Sequence, residues 1–347
     1  MTSISPLFDS HNLELARELA GKTKAEAAAL LKVTPRMYSR YLLRGFPATR
    51  AADAAHAFAV PIEFLTAPEP AGLDISTVNF RAGRKAQAVH RRAAIANGRI
   101  LLGLDDWLKE NFRIPKLNLP DLQGEDPTLA AEILREAWGM GTKPAQNMVQ
   151  LCESKGIGVY GLSTVAEDVD AFSAWHNSLP LIFISRRKTP ERSRFDIAHE
   201  LGHLVLHHGG CCDAKAVQEK EADQFASAFL IPRSAMRQYL PKLPSLEHIL
   251  EFKSVYHVSA MAVTVSLHRA GMLTDASYKR RCAVLNSRGY RSGEPEGIQQ
   301  YEHSRIFEQV FDSQRPNPIT RRQLADLLHL SPAVVREATL ATPLQTI

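Results

Sequence analysis

Residues 198–208 read AHELGHLVLHH. Two histidines, His199 and His203, stand four apart, and Glu200 follows the first. On an α-helix, positions i and i+4 lie on one face, so both imidazoles point the same way. Two imidazoles at that spacing can hold one zinc ion, and the glutamate between them can act as general base toward a water. The bare spacing also arises by chance on solvated helices. Here the frame argues otherwise, because Ala198, Leu201, Gly202, Leu204, Val205 and Leu206 predict a helix buried nearly all round. Ionisable groups in such a helix are expensive unless they are paired or bind metal. Gly202 further lowers helix propensity, which implies a close approach by another group.

A zinc site needs a third protein ligand from a separate element. The segment EKEADQFASAFLIP (219–232) has helical character and places Glu219 and Asp223 one turn apart on a shared face. Glu219 is therefore expected as the third ligand. Asp223 is expected to accept a hydrogen bond from a zinc histidine. Glu221 points elsewhere and is the weaker alternative ligand. His207 repeats the spacing one turn later; it is read as a structural histidine supporting the site rather than a fourth ligand. His208 is read as exposed, and the loop cysteines Cys211 and Cys212 as inert, with an adventitious or redox-sensitive role near the zinc as the alternative.

Around this centre the chain has 347 residues, 45% hydrophobic and 23% charged, with a formal net charge of +5. These values suit a globular chain of two or three domains. Mild basicity permits nucleic-acid contact without requiring it. The four cysteines, Cys152, Cys211, Cys212 and Cys282, form no disulfide-framework or zinc-finger spacing. No stretch approaches a membrane span or a secretion signal, so a cytoplasmic setting with no membrane partner is expected. The short runs 156–162, 170–175 and 179–185 read as strands. LPLIFIS (179–185) is the expected edge strand for an extended substrate, with an interior strand as the alternative. Helices are expected over 81–113, twice within 128–155, over 216–231 and over 245–271, with a loop-rich tail from 277 that turns helical after PNPIT. The loop GYRSGEPEG (289–297) is expected to be ordered. His176 and Tyr278 are candidates for stabilising a transition-state oxyanion, with no spacing argument to choose between them.

RSRFDIAHELGHLVLHH followed by EKEADQFASAFLIP resembles the ImmA/IrrE family of zinc-dependent metallopeptidases over roughly 145–275. The resemblance implies zinc ligands at His199, His203 and Glu219, a catalytic Glu200, and a zincin-like domain. It also implies a protein substrate, since characterised members cleave helix-turn-helix repressors.

Two flanking segments share another pattern. In TKAEAAALLKVTPRMYSRYLLRG (23–45), Thr23 and Glu26 make a capping box, and Thr34 with Pro35 opens a second helix. This segment resembles an XRE/Cro-like helix-turn-helix. Arg36, Met37, Ser39 and Arg40 would then face the major groove, with Lys24 and Arg44 on phosphates. Leu42 stands where that family usually has an acidic residue, and a helical packing module without DNA is the alternative. TRRQLADLLHLSPAVVREA (320–338) repeats the pattern: Thr320 matches Thr23, Ala325 matches Ala28 and Pro332 matches Pro35. A tail of this kind is compatible with gating the site, binding the repressor or forming a homodimer.

The expected fold is therefore mainly α with a small β-sheet (α+β). Its parts are a helix-turn-helix domain (1–66), a helical linker region (67–127), a zinc metallopeptidase domain (128–275) and a C-terminal regulatory region (276–347). The expected function is a Zn2+-dependent metalloprotease that cleaves a helix-turn-helix repressor, with DNA as a second partner through residues 1–66. The alternative is a transcription factor whose zinc domain is a sensor or structural module.

Overall fold

The computed structural model describes residues 7–8, 10–70, 72–73, 79–82, 88–166, 168–207 and 215–341. The fold is mainly helical with a small mixed sheet. His208, Cys211 and Cys212 lie outside the described residues.

The chain opens with helices α1 (Ser10–Leu19), α2 (Lys24–Leu30), α3 (Pro35–Arg44), α4 (Ala51–Phe58) and α5 (Ile62–Thr66). A two-residue pairing of β1 (Leu7–Phe8) with β2 (Phe46–Pro47) adds strand where none was expected. The helix boundaries follow from local chemistry. Thr23 Oγ1 accepts from the Glu26 N–H at 3.2 Å while Glu26 accepts from the Thr23 N–H at 2.7 Å. Lys32 takes the left-handed turn conformation at φ 53°, and Thr34 caps α3 by accepting from the Met37 N–H. Leu13, Ala27, Ala28 and Tyr38 fill the space between these helices.

β3 (Asn79–Ala82) and α6 (Ala88–Asn111) follow. Of the one or two helices expected over 81–113, the structure has one that starts later, with Arg81 and Ala82 drawn into a strand by pairing with distant residues 169 and 171. α6 packs between α1 and the sheet. Next come α7 (Pro127–Ala137), α8 (Met148–Ser154), β4 (Gly158–Gly161), β5 (Val169–His176) and β6 (Leu179–Ile184). The sheet order is β3-β5-β6-β4, with β4 parallel to β6 and the other pairs antiparallel. β6 is thus interior, which corrects its assignment as the substrate edge. Leu181 and Phe183 face α6, while Ile182 and Ile184 face the histidine helix. Burial on both faces explains an apolar run without alternation.

α9 (Pro190–Leu206) carries the histidines, and α10 (Lys215–Leu230) packs against it. α11 (Arg233–Tyr239), α12 (Leu246–Tyr256) and α13 (Ala260–Arg269) complete this half. The helical pattern over 245–271 forms two helices, because His257 adopts φ 55° and Ser259 caps a new start. The tail is more helical than expected, with α14 (Asp275–Ser287), α15 (Arg305–Val310), α16 (Arg321–Leu327) and α17 (Pro332–Ala338). α16 and α17 reproduce the α2–α3 pattern. Thr320 and Gln323 form the capping box, His329 takes φ 54°, and Ser331 caps a helix opened by Pro332. α17 is docked on β4: a Cβ on Gly161 would lie 2.1 Å from the Glu337 carbonyl oxygen, so only glycine permits the approach.

Residues 288–304 form an ordered strap across the start of α9. The Ile298 N–H donates to Glu191, Arg192 donates to the Arg291 carbonyl, and Arg194 pairs with Glu302. Buried Lys253 and Glu294 form an ion pair at 3.0 Å in the same region. The strap ends at Glu153, whose carboxylate accepts from the N–H groups of Arg305 and Ile306 and from the Ser304 hydroxyl. Burial pushes the Glu153 pKa up to about 7 despite these donors. The protonated form therefore favours folding. That stabilisation is complete below the unfolded value near 4.5 and is lost as pH rises through about 7. Glu153→Gln, which cannot ionise, is expected to lose less thermal stability than the wild type between pH 5 and pH 8. Melting curves across that range check this, and parallel Tm profiles for the two proteins would refute it.

Candidate metal centre

His199, Glu200 and His203 are nearly inaccessible, at 1%, 0% and 2% exposure. α9 is buried as its sequence implies, and Phe225 of α10 lies 3.0 Å from where a Cβ on Gly202 would sit. That close approach brings Glu219 to the histidines. Its carboxylate oxygens lie 3.5 Å from His199 Nε2 and 3.6 Å from His203 Nε2, and the two Nε2 atoms are 3.1 Å apart. These three ligand atoms all fall within 4.8 Å of one another, which makes the group a possible metal site.

The outer hydrogen bonds define the state of each ring. His199 Nδ1 lies 3.0 Å from Asp223 Oδ1. An ionised carboxylate only accepts, so this nitrogen carries the proton and Nε2 carries a lone pair. His207 Nε2 lies 2.8 Å from Glu221 Oε2, and His207 Nδ1 lies 3.0 Å from His203 Nδ1. Glu221 fixes the His207 proton on Nε2, so His207 Nδ1 accepts from His203 Nδ1–H. His203 Nε2 then also carries a lone pair. Two lone pairs and a carboxylate converge, while Glu219 Oε1 is buried without a hydrogen-bond donor among the described residues. Mutual repulsion of such groups is relieved by a cation between them, and the nitrogen–oxygen donor set suits a divalent metal.

Glu200 leaves the same helix toward the sheet, where the Ser173 hydroxyl of β5 donates to Glu200 Oε2 at 2.7 Å. Sequence reasoning missed Ser173, because its role depends on the register of β5 beneath α9. Glu221 does not join the ligand group; it orients His207. Of the two oxyanion candidates, His176 faces away from the centre. His176 is three residues after Ser173 and so faces the opposite side of the sheet, where its Nε2 lies 3.2 Å from Asp106. Tyr278 on α14 stacks on His268 with ring centroids 4.3 Å apart.

The residues expected to contact nucleic acid lie apart from this centre, on α2 and α3. Lys24, Arg36, Met37, Ser39, Arg40 and Arg44 are all exposed, and Lys24 also lies 3.6 Å from Glu14. None of them is drawn into the metal centre.

Two imidazoles and a carboxylate on packed helices, with a buried carboxylate beside the first histidine, are the equipment of a metal-dependent hydrolase. Residues 152–268, from α8 into α13, match the family model of the IrrE N-terminal-like domain, Peptidase_M78. The match supports a metallopeptidase domain of the ImmA/IrrE kind in this part of the chain. No curated protein matches the chain. Among the described residues, no helix is long and apolar enough to cross a membrane.

Proposed function

We propose that this chain is a zinc-dependent metalloendopeptidase that cleaves a helix-turn-helix transcriptional repressor and so switches on gene expression. The convergence of His199, His203 and Glu219, with Glu200 beside them, carries the reading. These three side chains would hold the zinc, whose Lewis acidity makes a water more acidic and polarises a peptide carbonyl. Glu200 takes the proton of the attacking water and passes it to the departing amide nitrogen. The Ser173 hydroxyl holds that carboxylate in its rotamer. Asp223 and the His207–Glu221 pair keep both imidazoles turned with Nε2 inward.

Because orienting partners tune ligands, His207→Ala is expected to weaken Zn2+ affinity by about 10–100-fold. Competition with a chromophoric chelator measures this, and wild-type affinity in the variant would remove His207 from the site's support. The function itself is tested by comparing protein N-termini in cells carrying the wild type or Glu200→Gln, before and after stress. A Glu200-dependent new terminus in a small helix-turn-helix protein supports the reading and names the substrate. No such terminus under any condition overturns it.

The exposed residues on α3 favour a second reading, a DNA-binding regulator whose zinc domain senses or stabilises. Arg36 and Arg40 stand on the outer face of a capped helix that follows a tight turn. Substituting both with alanine is expected to cost roughly 1–3 kcal/mol per lost base contact. Unchanged DNA affinity of the double variant in a gel-shift titration would sink the groove assignment.

A further inference from the structure

We propose that a groove continuing from the metal centre between α9 and α10 is a substrate side-chain subsite, and that it takes a large apolar residue two or three positions from the scissile bond. The proposal rests on the metallopeptidase reading and adds to it the chemistry of the bound peptide.

The two helices run antiparallel, with His203 opposite Glu219 and His199 opposite Asp223. Following the ladder one turn further along α9 reaches Phe195 and Asp196, with Ser227 next on the same stripe of α10. Another turn reaches Glu191 and Arg192, with Leu230 and Ile231 on α10. These residues and Asp223 line a cavity of about 400 Å3, closed on its third side by α13 and the residues before it. Asp223, which accepts from His199, also lines the cavity, so the cavity adjoins the metal centre at that residue. At 1.5 Å of rise per residue, Phe195 lies about 6 Å and Arg192 about 10 Å along the helix from His199. An extended peptide covers that distance in two or three residues at about 3.3 Å each.

The lining selects the occupant. Phe195, Leu230, Ile231, Val258, Met261 and Val265 give it an apolar wall. The acids of the lining are engaged through at least one oxygen each, while Glu191 Oε2 is buried without a hydrogen-bond partner among the described residues. Asp223 accepts from His199, Glu191 accepts from the Ile298 N–H, and Asp196 lies 3.9 Å from the Lys188 ammonium. Arg192 and Arg269 stand exposed at the rim and disfavour a basic side chain, while an acidic one would lose hydration against the apolar wall. A leucine, methionine or phenylalanine side chain meets neither penalty. Beyond the subsite a second cavity of about 410 Å3 shares Ser227, Ile231 and Arg269 and continues to Arg233, which leaves room for the peptide backbone.

The test uses the full-length protein loaded with Zn2+ and a proteome-derived peptide library, with cut sites read by mass spectrometry. Glu200→Gln is the blank, and bound zinc and circular dichroism are measured for every variant. Ala262→Trp fills the groove from α13, and Met261→Ala enlarges it. The wild type is expected to prefer leucine, methionine or phenylalanine at one position two or three residues from the cut. Ala262→Trp should lower kcat/KM on those peptides by about 10-fold or more relative to peptides with alanine there. Met261→Ala should admit tryptophan. If Glu200-dependent cuts occur but both variants keep the wild-type preference, the subsite is overturned and the peptidase reading stands. If zinc-loaded wild type makes no Glu200-dependent cut, both are overturned.

Discussion

Glu200→Gln is expected to lower peptide hydrolysis by roughly 10²–10⁴-fold, the usual contribution of a positioned general base. The substitution changes little else. Glutamine has the shape of glutamate, and its carbonyl oxygen can still accept from the Ser173 hydroxyl that now binds Oε2 at 2.7 Å. His199, His203 and Glu219 keep their positions, so zinc content and melting temperature should stay close to wild type. What is lost is the ability to take a proton, because an amide is not basic near neutral pH. The loss should therefore appear in kcat, with KM nearly unchanged. His203→Ala gives the contrasting pattern: activity and bound zinc disappear together. A Glu200→Gln enzyme with wild-type turnover would show that the buried carboxylate is structural, and the peptidase reading would fall with it.

The centre was legible in the sequence because its cost is local. Ionisable residues on an apolar helix need a reason, and the i, i+4 spacing within 198–208 and again at Glu219 and Asp223 supplies one. The two capped helix pairs were legible for a similar reason. Thr23, Thr34, Thr320 and Ser331 each satisfy backbone donors within three residues. What sequence did not show depends on partners far along the chain. β6 is interior because β5 and β4 flank it and helices cover both faces, whereas its composition alone allowed an edge. The strand at 79–82 exists through pairing with β5, roughly ninety residues later. The alternation of β5 puts His176 on the other face from Ser173, which its place in the sequence alone does not reveal. The strap at 288–304 has few apolar residues to announce it, and charged side chains from α9 and α12 hold it in place.

Arg194 ties α9 to Glu302 of that strap and to the carbonyls of Ala145, Gln146 and His257 outside it, and removing it should be the most destabilising single change away from the zinc ligands. Its guanidinium is 1% exposed. Nε donates to the His257 carbonyl at 2.9 Å, Nη1 to the Gln146 carbonyl and Glu302, and Nη2 to the Ala145 carbonyl. Burial lowers its pKa to about 10, so it remains charged at neutral pH. Arg194→Met keeps the apolar stem but leaves the Glu302 carboxylate and three carbonyl oxygens without their donor. Breaking a buried ion pair from one side costs about 3–5 kcal/mol, a large part of a typical stability of roughly 5–15 kcal/mol. Arg194 lies on α9 five residues before His199, so loosening the strap also frees the helix that carries the ligands. Activity should fall although Arg194 touches neither Glu200 nor the three ligands. Arg194→Met combined with Glu302→Gln should regain part of the lost stability, since no uncompensated charge remains. Urea unfolding of the two single variants and the double variant gives the coupling energy directly. A single variant destabilised by less than about 1 kcal/mol, the usual value of a surface pair, would show that the strap is held by its other contacts.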